Sequence, residues 1–203
     1  MLPRPRMRRL LQLYVGLYLY GLGGALQVSS HLGAMPWDVL HQGLSRQTGL
    51  SIGTWSITVG ALLILLWIPL RQRPGLGTLS NVVIVGVSVD LSLAWLPQPD
   101  SLGWRCLLLA LGILTTAVAT GCYIGAGLGP GPRDGLMTGL AARGLSVRRA
   151  RTGIEVAVVI VGFLLGGTVG VGTLLFALTI GPLAQVFLPL FGIAEPVARP
   201  AED

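Results

Sequence analysis

One segment of this chain occurs twice. Leu32-Gly-Ala-Met-Pro-Trp-Asp-Val-Leu-His-Gln-Gly-Leu44 is echoed 96 residues later by Leu128-Gly-Pro-Gly-Pro-Arg-Asp-Gly-Leu-Met-Thr-Gly-Leu140. Gly49-Leu-Ser51 returns as Gly144-Leu-Ser146, and Gly75-Leu-Gly-Thr-Leu79 as Gly170-Val-Gly-Thr-Leu174, both at an offset of 95. A one-residue gap keeps the halves in register from about Gly16/Gly112 to about Gly86/Gly181. A repeat of this size in an apolar chain is the build of transporter-like membrane folds with a central site.

The chain is apolar enough for that reading. It is 52% hydrophobic and 11% charged over 203 residues, which excludes an ordinary soluble domain. A helical span needs about 20 apolar residues. Six such stretches are expected, at 10–30, 51–70, 77–97, 105–126, 153–169 and 172–192, grouped as repeat one (1–98) and repeat two (99–203) of a single integral membrane domain. The first thirty residues have the basic start and apolar run of a secretory signal. The run is long, however, and corresponds to the fourth span, so it is read as a membrane helix.

The formal charge of +6 comes from fourteen arginines and no lysine, and their positions argue against nucleic acid. Arg4, Arg6, Arg8 and Arg9 precede the first span. Arg71 and Arg73 follow the second, Arg133, Arg143, Arg148, Arg149 and Arg151 follow the fourth, and Arg199 follows the sixth. Cytoplasmic loops of membrane proteins collect basic residues, so both termini are expected on the cytoplasmic side of the membrane, with the lipid bilayer as first partner.

Each repeat contains a short polar segment after its first span, 36–47 and 132–143. Pro36 and Pro132 fit the first helical position, where no N–H is needed, and Asp38 and Asp134 fit the positive helix end. Gly33, Gly129 and Gly131 permit a tight approach to these helices, and Ser51 and Ser146 fit N-caps of the next spans. The short helices are too polar to cross lipid. They lie flat at the interface or dip into the protein as re-entrant half-helices. Three full spans per unit invert the second copy. The charge agrees: segment 31–50 holds one arginine and its counterpart 127–152 holds five. The expected fold is therefore all-α, six transmembrane helices as 3+3 inverted repeats.

Several residues are candidates for ligand or coupling-ion binding, each with a structural alternative. Asp38 and Asp134 are repeat-equivalent acids that serve either a helix terminus or a cavity. Arg133 replaces Trp37 in the second copy and can hold an anion or anchor the membrane edge. Asp90 is the acid farthest inside an apolar span, where charge is costly, and its counterpart is Gln185. Glu155 lies four residues after Arg151, at ion-pair spacing on a helix. Cys106 and Cys122 stand about 24 Å apart on one helix, too far to pair. No metal cluster, nucleotide loop or nucleophilic triad is legible, so neither a cofactor nor an enzyme is expected.

The LGxxPWD and GPRDGLMTGL segments, with the GLGT and GVGT echoes, resemble the YczE/YyaS/YitT family of bacterial membrane proteins, over residues 10–190 and most closely the YczE-like branch. That resemblance implies an integral protein of the cytoplasmic membrane and little chemistry. The expected function is secondary transport or export of a small anionic or amphipathic solute. The rivals are a non-transporting partner or regulator of another membrane protein, a homo-oligomeric assembly included, and a lipid-binding or lipid-flipping protein. The charge asymmetry makes one prediction. In a cysteine-free background, single cysteines at positions 45 and 145 label from opposite faces of sealed, oriented membrane vesicles, and labelling from one face would remove the inverted arrangement.

Overall fold

A computed structural model describes residues 4–192, which form eight helices: α1 (Arg4–Ser30), α2 (Pro36–Thr48), α3 (Ile52–Leu70), α4 (Leu76–Trp95), α5 (Leu102–Gly125), α6 (Pro132–Ala141), α7 (Val147–Leu164) and α8 (Val171–Phe191). Arg199 lies outside the described residues. The repeat is written into the helix ends. Ser51 and Ser146 cap α3 and α7, their hydroxyls accepting from Thr54 N at 3.0 Å and Arg149 N at 3.2 Å. At the starts of α4 and α8, the Thr78 and Thr173 hydroxyls accept from Gly75 N at 3.2 Å and Gly170 N at 3.3 Å. Pro36 and Pro132 open α2 and α6 with Asp38 and Asp134 in the first turn.

By length and composition, four helices can cross a membrane: α3, α4, α5 and α8, with mean hydropathy of 1.7 to 2.0. The other two expected spans form as helices but are more polar. The 27-residue α1 is buried mainly in its C-terminal half, and it tolerates Gln27, Ser29 and Ser30 because they face protein. The 18-residue α7 carries Arg148, Arg149, Arg151 and Glu155 in its first half. It begins six residues before the expected 153 and ends at Leu164, ahead of Gly166 with φ of 97°.

At the centre, α1 packs against α5 and α4. Gly16 of α1 lies against Cys122 and Tyr123 of α5, while Gly23 lies against Gly112 and Thr116. Rising numbers on one helix meet falling numbers on the other, so the two run antiparallel. Hydrophobic clusters flank this seam. One joins Met35, Leu109, Ile113 and Phe176, and a second joins Leu13, Leu17, Val85 and Tyr123.

The halves exchange their lead-in loops. Gly172 N donates to Leu32 O at 2.8 Å, and Gly77 N donates to Leu128 O at 2.7 Å. Gly33 and Gly129, with φ of 117° and 119°, make the bend that brings those carbonyls in, a region side chains other than glycine rarely occupy. The Gly-x-Gly-Thr echo is thus the seat for the Leu-Gly echo of the other half. The short helices also pack crosswise, α2 on α7 and α6 on α3. Trp67 of α3 fills the space over Gly135 of α6, and its nitrogen donates to Pro132 O at 3.0 Å. At the equivalent contact the sizes are reversed: Gly162 of α7 lies under Val39 and Leu40 of α2. Arg143 donates to Pro69 O at the end of α3, and Gln47 donates to Leu165 O at 3.0 Å at the end of α7. Polar side chains from the ends of the short helices here cap the C-termini of α3 and α7.

One contact is not repeated. α3 and α4 pack along their lengths, whereas α7 and α8 do not. A Cβ on Gly86 of α4 would stand 2.6 Å from Gly53 O of α3, while one on Gly181, its counterpart in α8, would meet nothing within 4 Å. Gly86→Leu is therefore expected to lower stability by about 1–3 kcal/mol, a fall of roughly 2–10 °C in melting temperature in detergent. Gly181→Leu should leave it unchanged or raise it, since glycine costs about 1 kcal/mol in a helix interior. Equal losses would show that α7 and α8 are zipped like α3 and α4.

Candidate functional site: a cavity between the short helices

The two short helices meet at their N-terminal turns. The Arg133 guanidinium lies over the Trp37 ring, 5.0 Å from its centroid, so the two positions that break the sequence repeat contact one another. Such a stack contributes about 0.5–1 kcal/mol at exposed sites and more when desolvated. Among the described residues, the Arg133 guanidinium makes no side-chain hydrogen bond. Among the described residues, no carboxylate lies within ion-pair distance of Arg133.

A cavity of about 190 Å³ opens beside this stack. Its polar wall comprises Tyr123, Arg133, Asp134, Arg151 and Glu155, and its apolar wall is the α8 stripe Phe176, Ile180, Ala184 and Leu188. A smaller space of about 30 Å³ shares Tyr20, Tyr123, Arg133 and Asp134, and reaches Ser56 and Asn81 on α3 and α4. The Tyr123 hydroxyl donates to Asp134 Oδ2 at 2.7 Å. The Tyr20 ring meets Tyr123 edge to face, centroids 5.8 Å apart. Arg151 Nε donates to Glu155 Oε1 at 2.9 Å. Both acids of the cavity are thus engaged by donors, and Arg133 supplies the unmatched ones.

The α1–α5 seam pairs these groups by the repeat offset. Tyr20 corresponds to Thr116 and Tyr123 to Gln27. The Tyr20–Tyr123 contact is therefore mirrored by Gln27 Nε2 donating to Thr116 Oγ1 at 3.2 Å. One end of the seam is aromatic and bears on the cavity. The other end is a buried amide–hydroxyl pair.

The structure sorts the sequence candidates. Arg133, Asp134 and Glu155 come together at the cavity, with Pro36 on its edge and Gly131 and Pro132 on the smaller space. Gly33 and Gly129 act in the loop seats instead. Asp38 is buried and lies beside His41, with Oδ1 and Nδ1 3.2 Å apart. It is held against Gly24 of α1, outside the cavity lining. Asp90 stands apart from both spaces. Its Oδ2 accepts from the Ser51 hydroxyl at 2.6 Å and its Oδ1 from Gly53 N at 2.8 Å, so the acid closes the N-terminus of α3 from α4. The charge that looked like a mid-membrane ligand is a cap on the positive helix end. Gln185, expected opposite Asp90, is exposed on α8. Neither Asp90 nor Gln185 lines the cavity.

Sequence reasoning missed Tyr20, Tyr123 and Arg151 as cavity residues. Tyrosines on apolar helices signal an interface belt as readily as a cavity. For Arg151 the sequence shows an ion-pair partner for Glu155, and the further signal is that their counterparts in repeat one are Ser56 and Gly60. His41 is fully buried, with Nε2 lacking a partner among the described residues.

An all-helical chain with several membrane-length apolar helices and a polar cavity among them is an integral membrane protein. Residues 7–189 match DUF6198, a family of unknown function, and the chain belongs to it. It is 42% identical over 177 residues to an uncharacterized protein of Haemophilus influenzae, covering 87% of this chain and 81% of that one. It is 34% identical over 179 residues to the uncharacterized membrane protein YczE of Bacillus subtilis, covering 87% and 83%. The uncharacterized protein YyaS of Bacillus subtilis is 30% identical over 183 residues, at 87% and 90% coverage. No solved structure matches at the same level of significance.

The position of Asp90 makes a prediction. A hydrogen bond to a charged group contributes about 1.5–3 kcal/mol, so Asp90→Ala lowers thermal stability in detergent by a comparable amount, and Ser51→Ala lowers it by less. A stable Asp90→Ala protein would show that the carboxylate does not hold α3 and α4 together.

Proposed function

We propose that this protein is a secondary transporter or exporter of a small anionic solute. Its six spans form two inverted repeats of three, both termini are cytoplasmic, and α2 and α6 are re-entrant half-helices. The observation that carries the reading is the cavity where positions 37 and 133 meet, with a guanidinium whose donors no acid occupies. A site at the contact of two repeat-related broken segments is where such folds bind substrate. The antiparallel course of α1 and α5 supports the inverted order, and the crosswise seating of the loops supports two units that complete each other. The burial of Pro36 to Val39 and of Pro132, Gly135 and Met137 suits helices enclosed by protein, where non-spanning backbone is tolerated at membrane depth. The arginine distribution supports cytoplasmic termini.

The roles follow from the partners. Arg133 contacts the anion, and Trp37 holds the guanidinium in place. Asp134 is the group suited to coupling, since its hydrogen bond from Tyr123 ties its charge to the α1–α5 seam. Asp38 with His41 stabilises α2, and Asp90 stabilises α3. The lining groups bind rather than react, so the protein is read as a carrier and not an enzyme.

The test is a melting-temperature screen of the detergent-purified protein against phosphate, sulfate, citrate, benzoate and alkyl phosphates. At least one is expected to stabilise the native protein. Arg133→Gln is expected to weaken that ligand by about tenfold or more, as loss of one charge-assisted contact does, while Asp90→Asn keeps its affinity at lower stability. Proteoliposome flux of the stabilising anion should fall with Arg133→Gln and Asp134→Asn. A screen in which no anion acts would remove the anion assignment. Binding without flux would favour a partner or regulator.

A further inference from the structure

The cavity is walled by two helices that pack little against each other. Arg151 and Glu155 of α7 face Ile180, Ala184 and Leu188 of α8 across it, and these helices lack the packing that joins α3 to α4. The cause is in the sequence. Gly53, which lets α3 approach the Gly86 turn, corresponds to Arg148 in α7, and the space beside Gly181 is open. Val156 and Ile160 on α7 and Leu178 and Val186 on α8 are each more than half exposed, the surface expected of helices facing hydrocarbon. The gap between them therefore leads from a polar, arginine-bearing cavity out through the side of the molecule.

We propose that this gap is a lateral doorway, and that the cavity takes an amphiphile with an anionic headgroup, phosphate or carboxylate, from the membrane leaflet in which α7 begins. The proposal rests on the central anion site argued above and adds the route and the substrate class. The headgroup meets the N–H groups of Arg133 above the Trp37 ring. The hydrocarbon chain lies along Ile180, Ala184 and Leu188 and leaves between α7 and α8. A water-soluble anion would gain nothing from that apolar wall, whereas each methylene placed on it is removed from water. Arg151 stands at the mouth, four residues from the start of α7, where it can escort a headgroup from the interface while Glu155 keeps its charge balanced.

Dodecyl phosphate, inorganic phosphate and dodecyltrimethylammonium separate the cases in a melting-temperature assay in a neutral maltoside detergent. Dodecyl phosphate is expected to raise the melting temperature by roughly 5 °C at a hundredfold excess over its dissociation constant, and the other two to leave it unchanged. Arg133→Gln is expected to abolish the shift. Ala184→Trp, which fills the mouth, should also abolish it, and Leu188→Trp serves the same purpose should the first variant fail to fold. Equal stabilisation by inorganic phosphate, with both tryptophan variants still responsive, would overturn the doorway and leave the central site standing as one for aqueous anions. A shift that survives Arg133→Gln would overturn the headgroup contact as detergent-borne charge. No shift with either phosphate would overturn the doorway, and the central site itself would then rest on the other anions of the screen.

Discussion

Each half of this molecule is closed by a backbone carbonyl of the other. Gly77 N–H and Gly172 N–H open α4 and α8, and helix starts carry N–H groups that nothing within the helix accepts. In lipid such groups have no water to turn to and cost several kcal/mol each. Leu128 O and Leu32 O accept them, which requires the positive φ of Gly129 and Gly33 and the absence of side chains at Gly75, Gly77, Gly170 and Gly172. The bends that deliver those carbonyls also aim α2 and α6 into the protein. Once both seats are filled, the N-terminal turns of the short helices face each other, and the Trp37–Arg133 stack follows from their position.

This explains which parts of the fold were legible. Caps, seats and short-helix starts depend on residue types with one local use, Pro at the first helical position, Ser or Thr at a cap, Gly at a bend, and a repeat displays them twice. Contacts between helices were not legible, because the sequence shows the members of a pair but not the pairing. Trp67 with Gly135, and Gly162 with Val39, are complementary only across the two halves. For Asp90 the sequence leaves a ligand role and a structural role open for the same reason. A carboxylate in an apolar stretch signals a partner, and the partner proved to be the α3 terminus instead of a ligand. The more polar α1 and α7 also follow from position, since the polar end of α1 is buried in protein and α7 borders the cavity.

Function in a repeat protein shows where the copies differ. Along α3 the sequence places Gly53, Ser56 and Gly60. At the matching positions α7 has Arg148, Arg151 and Glu155. Small residues let α3 close onto α4, with the Asp90 carboxylate pinning the end. Charged residues hold α7 off α8 and present an ion pair to the space so made. A single seat geometry thus yields one sealed seam and one open seam, and the opening lies on the side that carries Arg133.

The anion preference proposed for the cavity does not rest on excess charge, since Arg133 and Arg151 are matched in number by Asp134 and Glu155. It comes from how hydrogen bonds are distributed. Asp134 already accepts from Tyr123 and Glu155 from Arg151, so the lone pairs that would attract a cation are partly used. The Arg133 guanidinium has five N–H donors, and it lies over the Trp37 ring, whose π face accepts no conventional hydrogen bond from them. Donors that are partly desolvated and unmatched cost free energy until something accepts from them. An incoming oxyanion relieves that cost, and a cation does not. Water can also accept from the guanidinium, so the discrimination sharpens as the cavity empties of water. A hydrocarbon chain laid along the α8 wall would have that effect.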